Sequence, residues 1–246
     1  RQDGNQDCRI GWSPASGYSR RRGACFRSET IMQGDRQSHW ENVYTSKNET
    51  EVSWFEQSPG PSLQIITELA PDADLSVIDI GGGASRLVDA LIEKGFRDLT
   101  VLDLSAAALD AAKARLGARA AEVHWLVADA TSWTPPGTYD IWHDRAAFHF
   151  LTEERDRASY IERMKRALRT GGHAVMATFA PDGPERCSGL SIVRYDAESL
   201  GRTLGDGFEL VGSRPHAHVT PWGSNQSFQF SVFRRDESIR HPTRQA

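Results

Sequence analysis

The feature that most constrains this chain is an apolar run that ends in an acid and three glycines, Val77-Ile78-Asp79-Ile80-Gly81-Gly82-Gly83. Two more acidic strand ends follow at near-regular intervals, Val101-Leu102-Asp103-Leu104 and Leu126-Val127-Ala128-Asp129-Ala130. Short apolar runs closed by turn residues read as buried strands. Between them lie helical segments. Residues 85–94 place Leu87/Leu91 and Val88/Ile92 four apart and stop at Gly95, and Ser105 caps a helix whose Leu109, Ala112 and Leu116 share a face before Gly117. A fourth strand is expected over 139–143 and a fifth over 173–179. The helix between them is capped by Thr152, carries Glu153 and Glu154 in its first turn, and has Lys165, Arg166 and Arg169 near its end.

Strands alternating with helices pair in parallel through right-handed crossovers, and continuous apolar strands imply a sheet covered on both faces. Segments 208–211 and 227–233 lack helical periodicity and are separated by a loop holding Pro215, Pro221 and Gly223. They read as an antiparallel closing pair. The expected fold class is therefore α/β: a three-layer, doubly wound, mostly parallel Rossmann-like sheet with an antiparallel C-terminal strand.

Composition sets the outer limits. With 246 residues, 39% hydrophobic and 25% charged, the chain fits one ordinary domain with loose ends. Residues 1–35 are polar and unpatterned and read as a disordered leader, with Met32 as a natural start or Arg20, Arg21 and Arg22 as part of a basic presequence. Residues 36–235 form the domain, and 236–246 a flexible tail. A net charge of -4 does not favour a nucleic-acid partner. Three scattered cysteines, Cys8, Cys25 and Cys187, suggest a reducing, cytoplasmic setting, and no apolar run reaches the length of about 18 that a membrane span needs. His216 and His218 lack companions for a metal site, so no metal is expected.

In a doubly wound sheet, ligands bind outside the carboxyl ends of the strands. Gly81 and Gly83 let the backbone approach a ligand closely. Asp103 is placed to accept from both ribose hydroxyls and Asp129 from an adenine amino group, while Asp79 suits a cationic ammonium. A pyrophosphate cofactor would require G-x-G-x-x-G, and the last glycine position holds Arg86. These features favour S-adenosyl-L-methionine over a nicotinamide dinucleotide.

Here the chain resembles the class I S-adenosylmethionine-dependent methyltransferases. The resemblance rests on DIGGGAS (79–85), LDLS (102–105), VADAT (127–131), YDIWHDRAAFHFL (139–151) and LRTGGHAVMATF (168–179). HWENVY (39–44) and EVSWFE (51–56) narrow it to small seven-strand methyltransferases, related to protein-lysine enzymes acting on citrate synthase and elongation factor. The resemblance implies a seven-stranded sheet and methyl transfer to an N, O or S nucleophile of a small molecule, or alternatively to a protein lysine. It implies cofactor contacts from Trp40, Tyr44, Trp54, Asp79, Gly81, Gly83, Asp103, Leu104, Asp129, Ala130 and His143. His143 and Asp144, after the fourth strand, are the candidate catalytic base.

Each has a plainer reading. The aromatics would pack on the sheet, Asp144 and Arg145 would pair to fix a loop, and Cys187, which could line an acceptor pocket or bind a soft atom, would be an ordinary loop cysteine. A non-catalytic nucleotide-binding or scaffold protein is the alternative from another class.

Overall fold

The computed structural model describes residues 29–238, so most of the leader and the end of the tail (1–28 and 239–246) lie outside the described residues. Five strands arise where the apolar runs place them: β1 (Val77–Ile80), β2 (Leu99–Asp103), β3 (Val123–Val127), β4 (Tyr139–Arg145) and β5 (Leu168–Phe179). Two long strands close the chain, β6 (Phe208–Val219) and β7 (Asn225–Arg235). They form one seven-stranded sheet ordered β3-β2-β1-β4-β5-β7-β6, with β7 antiparallel to both neighbours and the other adjacent pairs parallel.

The helices are α1 (Glu29–Ser46), α2 (Gly60–Leu69), α3 (Leu87–Glu93), α4 (Ala106–Leu116), α5 (Glu154–Ala167) and α6 (Ala197–Leu204). Successive strand residues point to opposite faces, and the two cores follow that rule. Val77, Val101, Ile141 and Val175 join Ile66, Leu87, Leu91 and Leu109 from α2, α3 and α4. Ile78, Leu102, Trp142 and Met176 join Tyr160, Met164, Leu200 and Leu204 from α5 and α6. Three layers result.

Four boundaries differ from expectation. Helix α1 begins at Glu29, inside the segment assigned to the leader, because a helix is set by what its later turns pack against. Thr152 does not cap α5: Glu153 holds the N-cap position without a side-chain cap bond, and first-turn acids Glu154 and Asp156 complement the dipole instead. Strand β5 starts at Leu168, so Gly171 and Gly172 lie within it. Pro215, assigned to a loop, lies inside β6, opposite Gln229. As the edge strand, β6 pairs with β7 alone and tolerates a residue with no N–H to donate.

Candidate active site

The carboxyl ends of β1 to β5 and the amino end of the reversed β7 share one rim of the sheet. A cleft of about 910 Å³ of non-atom space, partly open to solvent, runs along that rim. Its lining follows the strand order: Ala128, Asp129 and Ala130 after β3, Asp103 and Leu104 at β2, Gly81 after β1, Arg145 at β4, Phe179 at β5, and Gln226 and Phe228 on β7. Trp40 and Tyr44 of α1, with Trp54, close it from above. Most of the expected cofactor residues thus border one space.

The glycine turn is a cradle. Gly81 and Gly83 have φ of 66° and 45°, a region that L side chains rarely adopt. A Cβ on Gly83 would sit 2.9 Å from Asp103 Oδ2 and 3.0 Å from the Tyr44 hydroxyl, and one on Gly81 would sit 2.8 Å from the Ala147 methyl. The turn is held from outside by Arg115, which donates to the carbonyls of Ala84 (3.0 Å) and Ser85 (2.8 Å) and pairs with Asp89 and Glu49. Glu49 also pairs with Arg86 at 2.6 Å.

The three spaced acids separate into different duties. Asp103 Oδ1 accepts from the Ser105 amide at 2.8 Å, while Oδ2 faces Gly83 at the cleft. Burial pushes its carboxyl up to about 7; the Ser105 amide opposes this and the charge of Asp79 adds to it. Asp129 lines the cleft but is already engaged: Oδ1 accepts from the Thr131 amide and hydroxyl, and Oδ2 pairs with Arg36 at 3.2 Å. An adenine amino group there would share Oδ2 with Arg36. Asp79, like Gly83, is not among the residues that border the cleft. Its Oδ1 lies 2.6 Å from His143 Nδ1, and its Oδ2 would be 2.6 Å from a Cβ on Gly82. It supports the turn from beneath.

His143 and Asp144, expected as the base, are both engaged inside the fold. Neither residue lines the cleft. His143 spans between Asp79 and the Ser62 hydroxyl, with Nε2 2.9 Å from Ser62 Oγ. Asp144 is fully buried and accepts from the Ala147 and Phe148 amides and from the Tyr160 hydroxyl. Burial pushes its carboxyl up to about 6 against those bonds. Nor does Asp144 pair with Arg145, which reaches the other way to Glu56 at 2.8 Å and donates to the Trp54 carbonyl at 3.0 Å. Both follow from β4 being a central strand, whose alternate side chains point into the packed layers.

Several site residues escaped the sequence reading. Arg36 joins Asp129 and Asp156 across the β3 end, and Glu41 accepts from the Ser105 hydroxyl (2.8 Å) and the Ala107 amide at the start of α4. The spacing of Arg36, Trp40 and Tyr44 at four-residue intervals puts them on one helical face and would have found Arg36. Gln226, Phe179 and Phe228 carried no local signal. Cys187, in a two-strand hairpin of Arg186–Cys187 with Leu190–Ser191, is buried and lines the cleft, with its thiol pushed up to about 11 by burial. Among the described residues, no group of three or more His, Cys, Asp or Glu is arranged to hold a metal. No helix there is long and apolar enough to cross a membrane.

With that geometry in place, comparison with known proteins is informative. Residues 77–172 match a family described as "Methyltransferase domain". Malonyl-[acyl-carrier protein] O-methyltransferase from a Paenibacillus strain is 31% identical over 43% of this chain and 39% of its own. Trans-aconitate 2-methyltransferase from Methylobacterium radiotolerans is 33% identical over 50% of this chain and 44% of its own. The chain thus spans about two fifths of the length of these curated relatives. A solved Burkholderia thailandensis 1,6-didemethyltoxoflavin-N1-methyltransferase, bound to its acceptor and S-adenosylhomocysteine, superposes with a TM-score of 0.60 at 17% identity, covering 89% of this chain and 93% of that one. The likeness to that solved methyltransferase is one of fold.

Proposed function

We propose, from a chain whose residues 77–172 match a methyltransferase-domain family, that it moves a methyl group from S-adenosyl-L-methionine to a nucleophilic atom of a small molecule. The observation that carries this reading is the single cleft crossing the sheet rim, with an acid-and-glycine cradle on one side and an aromatic chamber on the other. A Cβ on Gly81 or Gly83 would collide with Ala147, Asp103 or Tyr44, and the bare backbone of Gly81, which borders the cleft, would meet the methionine portion of that donor. Asp103 Oδ2 would accept from the ribose hydroxyls. Leu104, Ala128 and Ala130 would flank the adenine, whose amino group would meet Asp129. Trp40, Tyr44 and Trp54 would shut water from the sulfonium end.

When bound, S-adenosyl-L-methionine supplies an activated methyl, so the protein's task is chiefly alignment, an effect that can lower a barrier by several kcal/mol. Of the two curated relatives, one is named for a small acid and the other for a malonyl group on a carrier protein, neither for a protein lysine, and the cysteine usage supports a cytoplasmic setting. Purified protein incubated with methyl-labelled donor and cell extract tests the reading. Label should enter the low-mass fraction. Label in a protease-sensitive fraction would mark a protein acceptor, and cofactor binding with no transfer would mark a non-catalytic protein.

A further inference from the structure

The hydroxyl of Tyr44 has one partner and one free hydrogen. Tyr44 sits on α1 and borders the cleft, and its oxygen accepts from the Trp54 indole N–H at 3.2 Å. That bond takes one of the oxygen's two lone pairs and turns the hydroxyl hydrogen away from Trp54. Among the described residues, no acceptor lies within hydrogen-bond reach of that hydrogen. Burial, and after it the charge of Asp103, hold the phenol above its usual range, so it keeps the hydrogen at neutral pH. Trp54 is itself held at both ends. Its carbonyl accepts from Arg145 Nη1 at 3.0 Å, Arg145 pairs with Glu56 at 2.8 Å, and its ring packs edge-on against Trp40 and Tyr44.

Across from the Tyr44 hydroxyl stands Asp103. The point where a Cβ on Gly83 would begin is 3.0 Å from the Tyr44 oxygen and 2.9 Å from Asp103 Oδ2, and both side chains border the cleft. An oxygen that only accepts and a phenol with a hydrogen to give are therefore close neighbours on one wall. Two O–H···O bonds of about 2.7–2.8 Å each can join such a pair through a single atom. That atom has to donate and accept at once. An ammonium has no lone pair for the phenol hydrogen, and a carboxylate or phosphate is repelled by Asp103. A hydroxyl meets both demands.

Resting on the methyltransferase reading above, we infer that one ribose hydroxyl of the donor gives its hydrogen to Asp103 and accepts the hydrogen of Tyr44, with Trp54 as the positioning residue that aims the Tyr44 hydroxyl. The ribose is then gripped from the sheet by Asp103 and from α1 by Tyr44, while the Tyr44 ring still shuts out water. The segment that carries Trp54, tied to β4 through Arg145, fixes the direction of that second bond.

The test is calorimetry on the whole protein with S-adenosylhomocysteine and its 2′-deoxy and 3′-deoxy analogues. Tyr44→Phe keeps the ring and should weaken S-adenosylhomocysteine roughly 3- to 10-fold. The analogue that lacks the shared hydroxyl should lose nothing further on this change, whereas the other analogue should fall by the full factor. Trp54→Phe leaves a ring but no N–H. It should cost S-adenosylhomocysteine more than it costs that same analogue, a difference that a mere loss of wall would not produce. Should Tyr44→Phe not fold, Trp54→Phe carries the comparison alone. Unchanged affinity of the variants for S-adenosylhomocysteine, or equal losses for it and both analogues, would overturn the assignment. Failure of the unaltered protein to bind S-adenosylhomocysteine would instead defeat the methyltransferase reading beneath it.

Discussion

At the scale of single residues, the acids at the strand ends look alike in sequence yet do different work. Asp103 keeps one oxygen for the cleft, so Asp103→Ala should remove up to two charge-assisted bonds, roughly 2–4 kcal/mol, and weaken S-adenosylhomocysteine binding about 30- to 1000-fold by calorimetry. Its pH behaviour follows from its burial. The folded carboxyl sits near 7 against an ordinary 3.8, and ribose hydroxyls donate to the ionised form. Affinity should therefore rise with pH up to about 7 and level off above it, and Asp103→Asn should flatten that rise. The same raised value means the free protein's stability from this group is full below about pH 4 and is lost as pH climbs through 7. Asp144 behaves otherwise, because it satisfies two amides and the Tyr160 hydroxyl inside the fold. Asp144→Ala should strand those donors at a cost of about 2–4 kcal/mol, read as a lower melting temperature. A variant that melted normally but lost turnover with an altered pH profile would restore Asp144 as a base.

At the scale of elements, α1 is the part of the domain whose position depends on side chains more than on backbone pairing. It meets the sheet rim through Arg36 on Asp129 and Asp156, Glu41 at the start of α4, and Trp40 packed edge-on against Trp54 and Phe150. Trp40→Ala removes part of the cleft wall together with those ring contacts. Burial of such a side chain is worth about 1.5–3 kcal/mol, so S-adenosylhomocysteine affinity should fall about tenfold or more while the far-ultraviolet spectrum stays unchanged. An unaltered affinity would show that α1 packs without serving the ligand. The sequence made the central strands legible because each is a closed apolar run, and it made α4 legible because Ser105 and Gly117 punctuate it. It showed only the start of β6 and concealed the rest, where Pro215, His216 and His218 break the apolar pattern that buried strands show, since an edge strand has one wet side and no partner to lose. Likewise hidden was the support of His143 by Ser62, 81 residues away in the chain, because contacts between α2 and β4 exist only once both layers have docked.

At the scale of the whole molecule, the strand order itself lays out the reaction. Adjacent positions along the rim run from Asp129 at β3, through Asp103 at β2 and the glycine turn at β1, to Arg145 at β4 and Phe228 on β7. A nucleoside with a short charged tail, laid along that line, would bring its reactive end to the boundary between cradle and chamber. The reversal of β7 matters here, because it presents Gln226 and Phe228, from the start of a strand, at the rim where the parallel strands end. A dinucleotide would need the same rim for a pyrophosphate, yet the turn is backed by Asp79, an acid that repels it. Ligand-linked stability separates the two on the intact protein. A ligand present at 100 times its Kd stabilises the fold by about 2.7 kcal/mol, which for a domain near 200 residues raises Tm by roughly 5–11 °C. S-adenosylhomocysteine should produce that rise and NAD none. If NAD raised Tm and S-adenosylhomocysteine did not, the assignment of Asp103 to the ribose could survive, since both carry one, but the acid beneath the turn would have been given the wrong neighbour.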